Sequence, residues 1–208
     1  EMQGLLGGNI RVGTFTSVSR SWLPKLMNEF KALYPFVHFD LRQGDYRGIE
    51  EWISEGTVDF GFTCYSEVKG LVVTPLRKDE MLAALPPGHP LARQERVTLE
   101  ALSKEPLILL DEGEFSVALD AFRRSGLTPD IHYKVTDDYT VISMVEQGLG
   151  VSILYELVLK NENRRLTALH IEPPVERTTA LAYRNKRTLS VAARRFIDFV
   201  IDHFGAGK

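Results

Sequence analysis

The run from Val145 to Leu154, VEQGLGVSIL, places the end of a helix directly before a buried strand. Gly148 and Gly150 bracket the helix end, because glycine accepts the left-handed backbone that a helix terminus requires. The β-branched residues Val151 and Ile153 then predict an interior strand. A strand that begins this close to a helix end is typical of the rim of a cleft. Together with the segments below, the run favours a two-lobed ligand-binding module over an enzyme.

The N-terminal part of the chain alternates strand and helix patterns. Apolar residues with a period of two predict strands at 9–13, 37–41 and 58–62, and apolar residues at helical spacing predict helices at 19–33 and 45–56. This order favours a largely parallel sheet with helices on its faces.

The rest of the chain reads as a second alternating region with one amphipathic helix at its end. Three helices are predicted here. The first runs from Phe115 to Gly126, the second begins at Asp138 as its cap, and the third runs from Leu189 to Phe204. We expect Pro173–Pro174 to separate the last two strands, because proline lacks the amide that a strand uses. The predicted strands are 71–76, 81–85, 107–110, 132–135, 151–154, 166–171 and 178–183.

Composition excludes several classes of function. A net charge of −3 over 208 residues argues against a nucleic-acid-binding surface covering the chain. No apolar run is long enough to cross a bilayer, and Glu1–Gly8 lacks the pattern of a signal peptide, which favours a cytoplasmic location. With one cysteine no internal disulfide forms, and the five histidines are too far apart in sequence to suggest a metal site.

Five groups of residues form a recognisable set: Gly8–Gly13, Leu23–Pro24 with Phe30 and Tyr34–Pro35, Gly56–Phe62, Pro87–Leu91 and Val145–Leu154. Taken together, they resemble the regulatory domain of LysR-type transcriptional regulators. The resemblance implies a type 2 periplasmic-binding-protein-like fold: two α/β lobes, each a mixed sheet flanked by helices, joined by two crossing strands. Lobe I would comprise 1–76 plus 174–208, and lobe II 77–173.

The resemblance also implies a function. A small-molecule effector would bind between the lobes, without a cofactor, and control transcription. Operator DNA would be bound by an N-terminal winged helix-turn-helix that is missing here, and residues 2–6 look like the tail of the helix that joins it to this domain. The family pairs as homodimers or homotetramers, which implies contacts through the helices at 19–33 and 115–125. Alternatives are an extracytoplasmic solute-binding protein of the same fold, and a transferase or lyase built on it.

Candidate effector-binding residues follow from the rule that ligands bind beyond the carboxyl ends of strands in open α/β sheets. Free amides and hydroxyls at Thr16 and Ser17 suit a carboxylate or phosphate, although we expect one of these hydroxyls to cap the helix in any case. The candidates are Thr16, Ser17, Val18, Gly44, Asp45, Thr63 and Cys64 from the first lobe, and Glu114, Phe115, Thr136, Tyr139 and Gly150 from the second.

Competing structural roles are open for many of these residues. Asp45 is expected to cap a helix, and if it faces the ligand it favours an amine or hydroxyl over a second carboxylate. Cys64 has no second cysteine to resolve an oxidised thiol, so a packing or pocket role is favoured over redox sensing.

Three further features bear on the site. The acidic cluster Asp111, Glu112 and Glu114 is expected to be a solvated turn. Tyr155 stands near a position where the resembled family often has proline, and its hydroxyl is a candidate to face the cleft. Enzymatic motifs are missing: Gly148–Gly150 lacks the third glycine of a dinucleotide loop, and no nucleophile elbow or phosphate loop occurs.

Overall fold

The computed structural model describes residues 6–160 and 164–205. Residues 2–5 of the expected linker-helix tail lie outside these ranges, and Leu6 precedes the first strand without being helical. No helix within the described ranges is both long and apolar enough to cross a membrane.

The chain divides into two compact units. We call Glu1–Lys78 with Thr178–Lys208 unit 1, and Asp79–Arg177 unit 2. Both contain strands and helices, and the strands pair in parallel and antiparallel directions, which confirms the predicted α/β class with mixed sheets. The lobe boundaries expected from the resemblance remain a prediction.

The elements follow the chain in this order. The strands in the described residues are β1 (Gly7–Thr14), β2 (Phe36–Gln43), β3 (Phe60–Cys64), β4 (Val72–Leu85), β5 (Arg96–Thr98), β6 (Pro106–Leu110), β7 (Asp130–Val135), β8 (Ser152–Tyr155) and β9 (Thr167–Tyr183). The α-helices are α1 (Thr16–Ser19), α2 (Leu23–Leu33), α3 (Tyr46–Glu55), α4 (Leu99–Ser103), α5 (Val117–Arg124), α6 (Asp138–Glu146), α7 (Glu156–Leu159) and α8 (Val191–Gly205).

The sheet of unit 1 confirms the predicted strand–helix–strand order. β1 pairs in parallel with β2 on one side and with β3 on the other. β3 then pairs antiparallel with the end of β9, from Thr179 to Ala182. Because β1, β2 and β3 run in the same direction, their carboxyl ends meet at one edge of the sheet.

Close packing holds the helices of unit 1 on this sheet. A Cβ atom on Gly61 would lie 2.5 Å from the Ile49 side chain of α3, so glycine is required where this helix approaches the strand. Aromatic side chains fill the core, where Phe30, Phe60 and Phe196 are almost completely buried. The ring centroids of Phe30 and Phe196 lie 5.0 Å apart in an edge-to-face arrangement, which aromatic pairs prefer.

Unit 2 contains a second group of parallel strands. β6 pairs in parallel with β7, and Leu107 of β6 forms a parallel bridge with Val151, directly before β8. β8 pairs antiparallel with β4, and β5 pairs in parallel with β9. The carboxyl ends of β6 and β7 therefore lie at a common edge, with β8 on the other side of β6.

The glycine-bracketed helix end is confirmed. Gly148 has a φ of 80°, its amide donates to the Val145 carbonyl, and the Leu149 amide donates to the Met144 carbonyl, which is the double hydrogen bond of a Schellman motif. Gly150 has a different role. A Cβ atom there would lie 2.5 Å from the Pro106 carbonyl oxygen, so this glycine allows the parallel approach to β6.

Two predicted strand boundaries are wrong. The strands predicted at 71–76 and 81–85 are parts of the single strand β4, and those predicted at 166–171 and 178–183 are parts of β9. Pro173–Pro174 does not break β9, although the Glu172–Pro173 peptide bond is cis. The pairing of β9 with the short β5 ends at Glu172, directly before these prolines.

The helix predicted at 19–33 is also divided. α1 ends at Ser19, and α2 begins at Leu23 with Pro24 in its first turn. Proline is favoured in the first turn of a helix but removes an amide bond from a helix interior, so it favours a new start at this position.

We expect Gly150→Ala to destabilise unit 2 by about 1–3 kcal/mol, because the added methyl group meets backbone that cannot rotate away. Chemical denaturation followed by circular dichroism measures the change. Gly205→Ala is the matched control, since a Cβ atom there contacts nothing within 4 Å. Equal stability of the two variants would contradict the packing role assigned to Gly150.

Candidate functional site

Unit 1 collects several predicted site residues at the carboxyl ends of its parallel strands. β1 ends at Thr14, β2 at Gln43 and β3 at Cys64. The amide of Gly44 donates to the Thr14 carbonyl at 3.1 Å, which ties the ends of β1 and β2 together. Thr16, Asp45 and Thr63 therefore belong to one edge of one sheet.

The expected capping of α1 by a hydroxyl is wrong. Phe15 occupies the N-cap position, and no side chain caps the helix. Ser17 and Val18 are buried, and the Val18 amide donates to the Phe15 carbonyl at 3.1 Å. The Thr16 hydroxyl is half-buried and has no hydrogen bond to any described residue. It therefore keeps its full capacity for a ligand.

A second hydroxyl at this edge was not among the sequence candidates. Thr14 is completely buried, and its Oγ1 has no hydrogen-bond partner among residues 6–160 and 164–205. Buried polar atoms are nearly always hydrogen-bonded, because desolvation without a partner is costly. A hydroxyl in this state at the carboxyl end of the central strand is a group that a bound molecule can satisfy.

Gly44 and Asp45 have clear structural roles. Asp45 caps α3, because its side chain accepts a hydrogen bond from the Gly48 amide at 2.7 Å, and this confirms the expected capping role. A Cβ atom on Gly44 would lie 2.5 Å from the Trp52 ring, so glycine is needed for packing whether or not it contacts a ligand.

Thr63 and Cys64 end the third strand of this edge. Thr63 is buried, and its hydroxyl donates to Glu50 Oε1 of α3 at 2.7 Å. Cys64 is partly buried and packs against the hydrophobic core of unit 1. Both residues lie where the sequence placed them, but Thr63 already has a strong internal acceptor.

Three of the predicted residues of unit 2 lie on the two loops that follow β6 and β7, whereas Tyr139 lies in the first turn of α6 and Gly150 lies between α6 and β8. The Asp111 amide donates to the Val135 carbonyl at 2.8 Å, which joins these loops at their origin. Glu114, Phe115 and Thr136 are exposed. Tyr139 is half-buried, with the Arg164 guanidinium 5.6 Å from its ring centre, and Gly150 is buried against Pro106.

The start of α6 differs from the sequence prediction. Asp137, and not Asp138, is the N-cap, and its Oδ2 accepts from the Thr140 amide at 2.7 Å. Asp138 occupies the first helical position and is only 6% exposed. A residue predicted to cap the helix is therefore a buried carboxyl group in its first turn.

Unit 2 also contains a buried ion pair that the sequence reasoning missed. Arg177 is 3% exposed and Asp79 is 7% exposed. Arg177 Nη2 donates to Asp79 Oδ2 at 2.6 Å, and Arg177 Nε donates to Asp79 Oδ1 at 2.9 Å. Such a two-pronged contact fixes both the position and the plane of the guanidinium.

This ion pair continues into a polar network at the carboxyl edge. The Arg177 guanidinium stacks on the Tyr155 ring, with 3.4 Å between its central carbon and the ring centre. The Tyr155 hydroxyl donates to Glu112 Oε1, and Glu112 Oε2 accepts from the Val117 amide at 3.0 Å. Tyr155 is buried within unit 2, and Glu112 is an anchored group and not part of a solvated turn.

The surroundings of Asp138 raise its pKa to about 6 from an ordinary value of 3.8. Burial is the largest cause, because it disfavours the charged form. Repulsion by Glu112 and Asp137 acts in the same direction, whereas the Asp138 backbone amide and Arg177 lower the pKa. Asp138 is therefore mostly charged at pH 7, at a cost to the folded state.

The shifted pKa of Asp138 predicts a pH-dependent effect of Asp138→Asn. A raised pKa stabilises the folded state below about pH 4, and this contribution is lost as the pH rises through about 6. We therefore expect the variant to be more stable than the parent by about 2 kcal/mol at pH 7.5, and nearly equal at pH 4. Urea denaturation at both pH values measures this, with exposed Glu95→Gln as the control. A difference that is the same at both pH values would contradict it.

The ion pair gives a second prediction. Arg177→Met leaves the buried Asp79 carboxylate without its partner, so we expect a loss of about 3–5 kcal/mol in the free energy of unfolding. Asp79→Leu combined with Arg177→Met should recover most of that loss. Arg96→Met is the control, because its pair with Glu172 is solvent-exposed and should contribute less than about 1 kcal/mol. Equal losses in the two single variants would contradict the assignment.

Comparisons with known proteins identify the family. A model of the LysR substrate binding domain matches residues 3–205. The chain is 34% identical over 206 residues to the uncharacterized HTH-type transcriptional regulator YvbU of Bacillus subtilis (strain 168), covering 98% of this chain and 70% of that protein. It is 31% identical over 206 residues to the transcriptional dual regulator GltC of the same organism, covering 95% of this chain and 68% of that protein.

Solved structures agree on the fold. The effector binding domain of QuiR in complex with shikimate matches with a TM-score of 0.87 and 23% identity, covering 97% of this chain and 99% of that one. The fold is thus the predicted type 2 periplasmic-binding-protein-like fold. The relatives are transcriptional regulators, which favours this class over the solute-binding alternative. The chain belongs to the LysR substrate-binding domain family, whose members sense effectors for LysR-type transcriptional regulators.

Proposed function

We propose that this chain binds a small metabolite with an anionic group in the cytoplasm, and that binding controls transcription without chemical conversion of the ligand. Operator DNA would be contacted by a separate N-terminal region, and the protein would act as a homodimer or homotetramer. The effector-binding residues of unit 1 would lie at the carboxyl ends of β1, β2 and β3, where the hydroxyls of Thr14 and Thr16 would contact the ligand.

The observation that carries this proposal is the state of Thr14. Its hydroxyl is buried and has no partner among the described residues, at the end of the central parallel strand. In open α/β sheets ligands bind at this edge. A ligand oxygen that accepts from Thr14 would replace an unsatisfied buried group with a hydrogen bond, which gives a gain on binding that the ligand-free fold lacks.

Neighbouring groups suit an anion. The Thr16 hydroxyl, two residues further along, has no hydrogen bond within the described part of the chain. Hydroxyl and backbone donors can bind a carboxylate or phosphate without a charged partner, and hydrogen bonds to ionised groups are stronger than neutral ones. Ser17, Val18, Gly44 and Asp45 would shape the same edge, while Thr63 and Cys64 would limit its depth.

Control of transcription needs more than binding. The effector must bind one arrangement of the regulator more tightly than another, because a ligand with equal affinity for both does not change the equilibrium between them. The helical faces that we propose for subunit contacts are those at 19–33 and 115–125. They would transmit the difference to the DNA-binding region of each subunit.

Thr14→Val tests the proposed site, because valine has the shape of threonine without the hydroxyl. We expect the stability of the variant to be unchanged or raised by about 1 kcal/mol, since an unsatisfied buried group is removed. Effector affinity should fall about tenfold or more, because a hydrogen bond to a charged group contributes about 1.5–3 kcal/mol. A thermal-shift screen of carboxylates, sugar acids and phosphorylated metabolites identifies the ligand, and calorimetry measures the affinity.

Thr57→Val is the matched control for this experiment. Thr57 is exposed and lies between α3 and β3, at the opposite end of the strand from the proposed site. It should leave both stability and affinity unchanged. Unchanged affinity in Thr14→Val and in Thr16→Ala would rule out the proposed anion site, and conversion of a ligand by the purified protein would rule out a sensor without catalysis.

A further inference from the structure

Trp22 has a buried polar atom that neither the fold nor the proposed function explains. Its indole nitrogen Nε1 is shielded from solvent and donates to no acceptor among residues 6–160 and 164–205. An indole nitrogen can only donate a hydrogen bond, and buried donors nearly always have an acceptor. Within the described part of unit 1, Trp22 Nε1 and Thr14 Oγ1 are the buried side-chain atoms without a partner.

The pairing of β1 with β3 places Thr14 beside an aromatic residue. Gly13 pairs with Gly61, so Thr14 and Phe62, one residue further along each strand, are neighbours in the sheet. A Cβ atom on either glycine would meet the Ile49 side chain of α3. Because successive residues of a strand point to opposite faces, Thr14 and Phe62 both point to the other face of the sheet.

Trp22 packs on this other face, against the same phenylalanine. The ring centroids of Trp22 and Phe62 lie 5.0 Å apart, with the ring planes at 90°, and Phe204 of α8 lies 4.8 Å from Trp22 on the same measure. Trp22 is the N-cap of α2, which follows β1 after only the short helix α1. Phe62 therefore has one unpartnered donor, Thr14, as its neighbour in the sheet and the other, Trp22, as its neighbour in the aromatic layer.

The surroundings of the indole group are apolar. Phe62 is completely buried, and Trp22 and Phe204 pack against the hydrophobic core of unit 1. Moving a doubly charged phosphate from water to such a place costs more than moving a singly charged carboxylate, because the desolvation penalty rises with charge. A ligand with an apolar body also gains by contact with the rings. These surroundings favour a singly charged acid over a phosphate ester or a sugar acid.

We propose that Trp22 Nε1 and the Thr14 hydroxyl both donate to the carboxylate of the effector, and that the effector is a monocarboxylic acid with an apolar body. A carboxylate has two oxygens with about four acceptor sites, so it can accept from both donors. Hydrogen bonds to an ionised acceptor are stronger than those between neutral groups. This inference rests on the proposed function, since it names the chemical class of the effector and adds Trp22 to the same site in unit 1.

Three series of probes test the ligand class. The first contains benzoate, 3-methylbutanoate and hexanoate, the second the hydroxylated acids glycerate and gluconate, and the third the phosphate esters phenyl phosphate and glycerol 3-phosphate. Thermal shift ranks the compounds on the whole chain at pH 7.5, and calorimetry measures the affinity of the best compound of each series. We expect the best apolar acid to bind about tenfold more tightly than the best compound of the other two series.

Nuclear magnetic resonance of the parent protein tests the role of the indole group directly. The chain has two tryptophans, and the indole Nε1–H signal that disappears in Trp22→Phe belongs to Trp22. We expect the best apolar acid to move this signal to lower field and to slow its exchange with solvent, because the hydrogen gains a charged acceptor. A hydrogen that donates to the ring of Phe62 or Phe204 instead would keep its signal in place.

Trp22→Phe tests the contribution of this donor to affinity. Phenylalanine keeps an aromatic ring in the layer but removes the N–H group, so we expect the affinity for the best apolar acid to fall about tenfold. Tyr133→Phe is the matched control, because it removes a polar hydrogen from an exposed aromatic side chain of unit 2 and should leave the affinity unchanged. Circular dichroism verifies that both variants are folded, and the resonance experiment does not depend on either of them.

The outcomes separate this inference from the proposed function. An apolar acid that binds without moving the Trp22 signal, and binds Trp22→Phe as tightly as the parent, would overturn the role of Trp22. If a hydroxylated acid or a phosphate ester binds more tightly than every apolar acid, the ligand class is wrong and effector binding stands. If no compound of the three series binds, the inference fails, and the wider metabolite screen with Thr14→Val then decides the proposed function separately.

Discussion

The buried ion pair between Asp79 and Arg177 is the constraint on which the polar side of unit 2 depends. It joins β4 to β9, and its guanidinium supports the Tyr155 ring at the end of β8. Tyr155 then holds Glu112 on the loop after β6. Replacing a buried pair by apolar side chains is often neutral for stability. The value of this pair is therefore geometric, because no apolar substitute would fix the plane of Tyr155 and so the position of Glu112.

The two strand edges use different means to present polar groups. In unit 1, neutral hydroxyls lie at strand ends, and Thr14 keeps its hydroxyl buried without a partner. In unit 2, charged groups do this, and their burial is tolerated because Arg177 is matched by Asp79. Asp138 is the exception, since the folded state carries the cost of its charge at neutral pH. A buried polar group that destabilises the ligand-free fold, such as the Thr14 hydroxyl, is one that a bound ligand can stabilise.

Local patterns predicted the fold well where one interaction decides the structure. The Gly148 helix end and the parallel order of β1, β2 and β3 follow from backbone preference and hydrophobic period. Pro173–Pro174 failed as a break, because β9 continues through both prolines from Thr167 to Tyr183. Asp138 was misplaced by one position, and on a helix start that shift separates a surface cap from a buried side chain. Asp79 and Arg177 could not be paired from sequence, since they are far apart along the chain. Asp79 lies within the charged run Arg77–Glu80 before the apolar part of β4, and nothing in that run marks it as the buried member.

Burial of Asp138 makes the stability of unit 2 depend on pH. Burial and repulsion from Glu112 and Asp137 disfavour the charged carboxylate, so the folded state carries a cost that grows as the pH rises through about 6. An effector that acts through this region must lower that cost more in one arrangement of the regulator than in another, because only a difference in affinity shifts a regulator between states.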